Sequence, residues 1–340
     1  MAPVYVLDPF YLGITALFTT GYQLLGFAIA WTFQFDKITD FTGGSNFFLL
    51  GESQSLFTMM MCNMFTIRNI VASIFVMVWA IRIAGFLLYR VLKTGSDTRF
   101  DDIRSHFFKF LAFWIGQIVW VWTVSLPLTI LNSPAISDYY DGGGDDPAFG
   151  TGRDIAGIVL WAIGLLIETT ADIQKFRYKM SSSSPKDRPI STGLWGWSRH
   201  PPYFGEMLCW WGIWILCLSP TTNGDLSSSR RAAQYGAVVS PLFTFLLLMF
   251  ASGVPTAEKP QAKKYYLLAN GPDADGSHSN AWRHYKRYVD QTSILIPMPP
   301  VIYKRLPKWT KQTVFLDLPM YHFDEQVDGK AAIDGAKAKP

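Results

Sequence analysis

Residues 193–206 read Gly-Leu-Trp-Gly-Trp-Ser-Arg-His-Pro-Pro-Tyr-Phe-Gly-Glu and join a polar loop to a strongly apolar segment. Two adjacent prolines can open a helix but cannot continue one, so we expect a helix to begin at the first of them. Arg199 and His200 then lie just before that helix, and Glu206 lies in its first turns. Because a carboxylate inside an apolar helix needs a partner, Glu206 is a functional candidate. From these residues alone, Arg199 and His200 can also be anchors for phosphate headgroups at a membrane interface.

The composition indicates an integral membrane protein. Of the 340 residues, 49% are hydrophobic and only 16% are charged, whereas a soluble domain carries about a quarter charged residues. The net charge of +4 is modest and arises mainly from loops and the C-terminal third, which favours membrane orientation over nucleic-acid binding. The three cysteines all fall in apolar segments without metal-ligand spacing, so we expect buried thiols and no metal site.

Seven apolar stretches are candidates for membrane spans, since a span needs about 20 mostly apolar residues. The second stretch is interrupted by Glu52 and Gln54, and the sixth is short. None alternates with period two, so the predicted fold is an all-α polytopic transmembrane bundle rather than a barrel. The predicted spans are residues 10–33, 47–66, 70–92, 107–131, 155–176, 203–218 and 237–251.

Loop charges predict the orientation. Residues 131–152 contain four Asp and no Lys or Arg, whereas residues 90–104, 179–199 and the C-terminal part are rich in Lys and Arg. Seven spans then place the N-terminus outside or in a lumen and the C-terminus in the cytosol. We predict one membrane domain over residues 1–323. The polar residues 324–340 are predicted to form a disordered tail.

Ionisable residues recur on one face of the fifth span. The spacing of Glu168, Asp172, Lys175 and Lys179 places all four on the same side of a helix. The four can satisfy one another across helical turns, or they can form the polar wall of a cofactor cavity. In the second case the carboxylates accept from ribose hydroxyls or an amide, and Lys179 meets a phosphate.

Two further groups of residues share a helical face. Arg82 and Tyr89 lie together on the third span, where Arg82 needs a carboxylate partner from Glu168, Asp172 or Glu206. His284 and Tyr288 are one turn apart and can face one ligand, with Arg287 near a phosphate. The alternative for residues 282–288 is an amphipathic interfacial helix with Trp, Tyr and Arg at headgroup level.

The string Ser-Arg-His-Pro-Pro-Tyr-Phe-Gly-Glu at residues 198–206 resembles the signature of the DUF1295 branch of the steroid 5-alpha-reductase superfamily. Isoprenylcysteine carboxyl methyltransferases and phospholipid methyltransferases share its Arg-His-Pro-x-Tyr-x-Gly core. The resemblance extends over about residues 79–304. Together with the basic residues at the cytosolic mouth, it implies an NADPH site formed by Arg82, Arg99, Glu168, Asp172, Lys179, Arg199, His200, Tyr203, Glu206, His284 and Tyr288.

The chain also departs from the steroid enzymes. Those enzymes grip a 3-keto enone with an adjacent Gln-Glu pair and a tyrosine, and no such Gln-Glu pair occurs here. At the positions of Glu168 and Lys179 the relatives can carry Asn and Arg. Tyr89 is our candidate for the proton-donating tyrosine.

The sequence therefore predicts an NADPH-dependent reductase of an activated C=C bond in a hydrophobic, sterol- or isoprenoid-like lipid, in contact with membrane lipids. The resemblance implies the endoplasmic reticulum. The alternative is an S-adenosylmethionine-dependent lipid or prenyl methyltransferase, which the shared core permits. A non-enzymatic scaffold or transporter is disfavoured, because the sequence has no paired half-sequences or inverted repeat.

Overall fold

The computed structural model of the chain describes residues 6–34, 38–61, 66–94, 103, 105–138, 146–223, 226–274 and 276–337. Within these ranges the regular structure is helical, and the β-contacts are isolated bridges such as that between Ser198 and Ser293. The prediction of an all-α fold is confirmed, as expected from long apolar runs that do not alternate.

The α-helices of the described residues are named α1 to α14. In chain order they are α1 (Leu12–Thr32), α2 (Thr39–Met61), α3 (Ile67–Thr94), α4 (Phe107–Leu131), α5 (Pro134–Ser137), α6 (Gly152–Met180), α7 (Pro201–Cys217), α8 (Ser228–Gly236), α9 (Val239–Leu246), α10 (Val254–Asn270), α11 (Ala281–Gln291), α12 (Pro300–Tyr303), α13 (Lys308–Thr313) and α14 (Asp328–Lys337).

Among the described residues, five helical stretches are long and apolar enough to cross a membrane. They coincide with the first, third, fourth, fifth and seventh of the predicted spans. The other two predicted spans are helical, as α2 and α7, but do not meet this description. The 17 residues of α7 extend about 26 Å, which is less than the roughly 30 Å hydrocarbon core of a bilayer. Seven spans and a cytosolic C-terminus therefore stay predictions. The five are Leu12–Thr32, Ile67–Lys93, Phe107–Ser137, Gly152–Met180 and Ser228–Asn270.

The chain divides into two compact units. Unit 1 comprises Met1–Ala162 and Cys209–Thr244, and unit 2 comprises Ile163–Leu208 and Phe245–Pro340. The prediction of a single domain over residues 1–323 stays a prediction.

Unit 1 is built on helix contacts among α1, α2, α3 and α4. Its core is aromatic, and the ring of Phe47 meets Trp79 and Trp210 edge-on or tilted at centroid distances of 5.3 and 5.4 Å. Helix α2 lies close to α3 because position 44 is glycine, where an added Cβ would stand 2.8 Å from the Cβ of Ala84.

Unit 2 contains the C-terminal part of α6, the start of α7 and the chain from Phe245 onward. The two helices touch at Gly205, where an added Cβ would stand 2.6 Å from the carbonyl oxygen of Gly164 and 2.8 Å from the backbone nitrogen of Glu168. An apolar cluster that includes Met207, Met249 and Ile294 joins this part of α7 to the later chain. The contact at Gly205 brings the predicted site residues of α6 to the first turns of α7.

The C-terminal tail differs from the sequence expectation. Its polar composition predicted disorder from Asp324, whereas residues 328–337 form α14. The helix packs on α10, where Gly329 fits against the ring of Tyr266 and Lys259 lies 3.3 Å from a carboxylate oxygen of Asp328. Tertiary contact stabilises a helix that its own composition does not predict.

Candidate functional site

Residues 193–206 form a turn, an extended link and the start of a helix. A 3-10 turn covers Gly193–Gly196, and α7 begins at Pro201, as the two prolines predicted. The extended link is held by the chain that follows α11. There the Arg199 backbone N–H donates to the Ser293 carbonyl at 2.7 Å, and the Ser198 hydroxyl donates to the Leu295 carbonyl at 2.7 Å. These bonds fix the backbone from which Arg199 and His200 project.

The Arg199 side chain is buried between two carboxylates of unit 2. One terminal nitrogen, Nη1, lies 2.5 Å from Glu258 Oε2, and the other, Nη2, lies 2.7 Å from Asp317 Oδ1. Burial alone would lower the pKa of the guanidinium, but the charges of Glu258 and Asp317 raise it. Arg199 is therefore a permanent cation inside unit 2. Its Nε has no hydrogen-bond partner among the described residues.

His200 shares the carboxylate of Glu258 with Arg199. Its Nε2 lies 2.6 Å from Glu258 Oε1, and its ring stacks on Tyr203 with 5.2 Å between centroids. Burial lowers the pKa of His200, although the bond and the charge of Glu258 act in the opposite direction. A neutral His200 then carries its proton on Nε2, because the carboxylate only accepts, and leaves Nδ1 as an acceptor.

Asp317 completes the buried charged cluster from the C-terminal segment. It accepts from the Tyr303 hydroxyl at 2.9 Å, and its Oδ1 lies 3.2 Å from His322 Nε2. Burial would raise the pKa of Asp317, but the Arg199 charge and the bonds from His322 and Tyr303 hold it well below its usual value. We call Arg199, His200, Glu258 and Asp317 the buried charged cluster.

The sequence pattern singled out Arg199 and His200 but not their partners. Those partners are Glu258 and Asp317, with Tyr303 and His322 beside Asp317. A signal was present at Asp317, because it is the first acidic residue after Asp290 and stands in the apolar run Val-Phe-Leu-Asp-Leu. An acidic residue in such a run is expected to have a buried partner.

The predicted residues of α6 and α7 are partly brought together. Glu168 is 2% exposed and lies against Gly205, whose neighbour Glu206 is also buried. Asp172 is half-buried farther along α6, and Lys179 is exposed near its end. Glu168 and Glu206 thus lie at one helix junction, and the polar wall formed by the ionisable face of α6 stays a prediction.

A cavity of about 380 Å³ lies in unit 2 beside residues 188–196. Arg188 and Arg287 line it together with His284, whose Nδ1 lies 2.9 Å from a carboxylate oxygen of Asp187. Tyr288 also lines it and donates from its hydroxyl to the Trp195 carbonyl at 2.9 Å. His284 and Tyr288 therefore border one cavity, as their spacing predicted.

Helix α11 packs in unit 2 through its aromatic side chains. Trp282, Tyr285 and Tyr288 are all buried, so the aromatic side chains of α11 point into unit 2. A second cavity, of about 230 Å³, lies on this side of the helix and is lined by Arg199, Glu258 and Tyr285 among others. The buried charged cluster therefore borders open space.

The remaining predicted residues belong to unit 1 or lie outside the described ranges. Arg82 and Tyr89 both lie on α3, where Tyr89 is 54% exposed. Arg99 lies outside the described residues. Their assigned roles stay predictions.

Together, the helical fold and its five long apolar helices are consistent with an all-α integral membrane protein. A family model described as a protein of unknown function, DUF1295, matches residues 26–270. The chain belongs to the DUF1295 family, as its signature at residues 198–206 had indicated. No curated protein and no solved structure is significantly similar to the chain. Asp317, Tyr303 and His322 come from beyond the matched region.

Proposed function

We propose that the protein is a membrane-embedded, NADPH-dependent reductase that acts on an activated C=C bond in a hydrophobic, sterol- or isoprenoid-like lipid. The observation that carries the proposal is the 380 Å³ cavity of unit 2, where Arg188, Arg287 and His284 surround Tyr288. Tyr288 donates in turn to the Trp195 carbonyl, three residues before the family signature at residues 198–206.

The lining of this cavity fits the phosphate-bearing end of NADPH. Guanidinium groups bind phosphate with paired hydrogen bonds. The volume of the cavity lies within the roughly 300–1,000 Å³ of small-molecule sites. Arg287 is exposed and has no carboxylate within 4 Å among the described residues, so its charge is available to an anion. His284 also lines the cavity, with its Nδ1 2.9 Å from a carboxylate oxygen of Asp187.

NADPH supplies a hydride when it is bound, and the chain's own residues orient the two reactants. The buried charged cluster keeps residues 199–203 in one position, because Arg199 and His200 are both tied to Glu258. Glu168 and Glu206 are the acceptors proposed for hydroxyl or amide groups of the cofactor, together with Asp172. Arg82 and Lys179 are proposed as further polar contacts.

The proton that accompanies reduction needs a donor. Tyr89 on α3 stays our candidate, since a phenol hydroxyl can polarise a carbonyl or protonate a carbon. The proposal also places the protein in the endoplasmic reticulum, with the C-terminus in the cytosol, in keeping with the basic C-terminal loops.

The first test is cofactor binding by thermal melting of the purified full chain in detergent. A ligand that binds the folded state alone stabilises it by about 2.7 kcal/mol at a concentration of 100 times its Kd. We expect NADPH to raise the melting temperature at much lower concentration than NADH. Arg287→Gln should weaken the NADPH effect at least tenfold and leave the NADH effect unchanged.

The matched control is Arg283→Gln, an exposed residue of α11 that does not line the cavity. It should behave as the unaltered protein. Stabilisation by S-adenosylmethionine alone would favour the methyltransferase that shares the Arg-His-Pro-x-Tyr-x-Gly core. If neither cofactor changes the melting temperature, the reductase proposal fails. The second test follows NADPH absorbance with α,β-unsaturated sterols and isoprenoids.

A further inference from the structure

The segment after α11 carries a concentrated positive charge. Lys304, Arg305, Lys308 and Lys311 fall within eight residues, and the chain has no Asp or Glu between Asp290 and Asp317. Lys311 is turned inward, with its Nζ 4.5 Å from the centre of the Tyr303 ring and 3.1 Å from the Asp290 carbonyl. The other three cations are exposed and, among the described residues, have no carboxylate within 4 Å.

Large apolar side chains stand exposed beside these cations. Trp309 is 66% exposed and Val301 59%, and Ile302 and Val314 are also exposed. The backbone beneath them is fixed, because Tyr303 and Phe315 are buried with their rings in edge contact. We call the exposed side chains of residues 301–314 the basic apolar surface.

The position of this surface within unit 2 suits a membrane boundary. The Met298 N–H donates to the Trp197 carbonyl at 3.0 Å, which ties the segment to the link before α7. Trp197 is itself 49% exposed. The preceding Trp195 donates from Nε1 to the Ala171 carbonyl of α6, which is one of the five apolar stretches. The surface therefore lies near the final turns of a candidate membrane span.

We propose that the basic apolar surface docks on the headgroup layer of a leaflet that contains anionic phospholipids. Lys and Arg near such a leaflet are attracted by its negative potential, and Trp favours the boundary between headgroups and acyl chains. Each of the three free cations is expected to strengthen the attraction roughly fivefold. A second copy of the chain presents the same positive charge, so self-association through this surface is disfavoured.

The test uses the purified full chain in a mild nonionic detergent with dansyl-phosphatidylserine as the probe. Energy transfer from the protein's tryptophans reports binding of the probe, and unlabelled phosphatidylserine or phosphatidylcholine competes for it. We expect phosphatidylserine to compete at least tenfold better. The variant K304Q/R305Q/K308Q should weaken probe binding at least tenfold, and added salt should weaken binding to the unaltered protein.

The matched control is K263Q/K264Q/K330Q, which removes three exposed cations elsewhere in unit 2 and should leave probe binding unchanged. Trp309→Ser should lower the affinity severalfold without altering its salt dependence. Equal competition by phosphatidylcholine, equal competition by inorganic phosphate, or unchanged binding by the triple variant would overturn the proposal. A change of oligomeric mass in the triple variant would instead identify a second copy as the occupant. NADPH-induced stabilisation should be the same in all these proteins.

Discussion

Each unit contains a buried arginine paired with carboxylates, Arg68 in unit 1 and Arg199 in unit 2. The two sites differ in how many of their polar atoms have a hydrogen-bond partner. In unit 1, Arg68 donates from Nε and Nη2 to the two carboxylate oxygens of Asp154 at 2.9 and 3.0 Å. Asp154 also accepts from Ser219, from Thr151 and from the Gly150 N–H. Arg68 donates once more, to the Pro147 carbonyl.

The buried charged cluster of unit 2 is less complete. It combines one guanidinium with two carboxylates and includes His200, which titrates near neutral pH in its ordinary state. Arg199 Nε lacks a partner among the described residues, and the cluster borders a cavity. An ion pair of equal charges whose carboxylate oxygens all accept hydrogen bonds, such as Arg68 with Asp154, stabilises a fold. A cluster with an excess of carboxylates beside a cavity, such as that of Arg199, can respond to a ligand or a proton. The difference indicates a structural role for Arg68 and supports the proposal that the region of Arg199 belongs to the functional site.

The largest expected loss of stability follows from a change to the ion pair of Arg68 with Asp154. Asp154→Ala leaves Arg68 charged and buried without its carboxylate, and removal of one partner of a buried pair costs about 3–5 kcal/mol. The melting temperature of the full chain in detergent should fall by many degrees. The double variant Arg68→Met with Asp154→Leu should recover most of that loss, because it removes both charges together. If Asp154→Ala were as stable as the unaltered protein, the ion pair of Arg68 with Asp154 would not stabilise unit 1.

Asp317→Asn should have a smaller effect that depends on pH. Arg199 keeps Glu258, and Asn keeps an acceptor, so we expect a loss of about 1.5–3 kcal/mol at neutral pH. The pKa of Asp317 is lowered on folding, so its stabilisation is present above the ordinary value near 4 and is lost as pH falls toward the lowered value. The difference in melting temperature between the two proteins should become smaller as pH falls from 7 to 3.

The control for that experiment is Asp290→Asn, an exposed carboxylate whose backbone carbonyl, not its side chain, accepts from Lys311. Its melting curve should parallel that of the unaltered protein at every pH. A difference between Asp317→Asn and the unaltered protein that stays constant down to pH 3 would contradict the lowered pKa.

The smallest effects come from single hydroxyl donors, and they compare the two sites directly. Ser219→Ala and Tyr303→Phe each remove one hydrogen bond to a buried carboxylate, at 2.7 and 2.9 Å, and each should cost about 1–3 kcal/mol. We expect Tyr303→Phe to flatten the loss of stability on acidification, since it removes a bond that lowers the folded-state pKa of Asp317. An acid dependence of Tyr303→Phe as steep as that of the unaltered protein would contradict this contribution of the Tyr303 hydroxyl.

Patterns within single segments of the sequence predicted the long apolar helices and the start of α7. Adjacent prolines predicted the start of α7, and apolar length predicted seven spans, of which five coincide with helical stretches long and apolar enough to cross a membrane. Both signals lie within one segment. The spacing of His284 and Tyr288 predicted that they can face one ligand, and both line one cavity. Signals of this kind need no knowledge of how segments pack.

The partners of Arg199 could not be predicted in this way. Asp317 is 118 residues away in the sequence, so nothing local connects the two. The helix α14 depends likewise on contact between Gly329 and Tyr266. The count of seven spans was not confirmed, because hydropathy does not separate a short buried helix such as α7 from a crossing one.

The contribution of Asp317 has a practical consequence for anyone who trims the gene. Sequence similarity to the family stops at residue 270, yet Asp317, one of the two carboxylates paired with Arg199, follows that point. A fragment cut at the similarity border would lack Asp317 together with Trp282 and Tyr285, and it would leave the guanidinium of Arg199 with Glu258 alone. A truncated protein that keeps the fold around Arg199 must therefore extend beyond the family match, at least as far as Asp317.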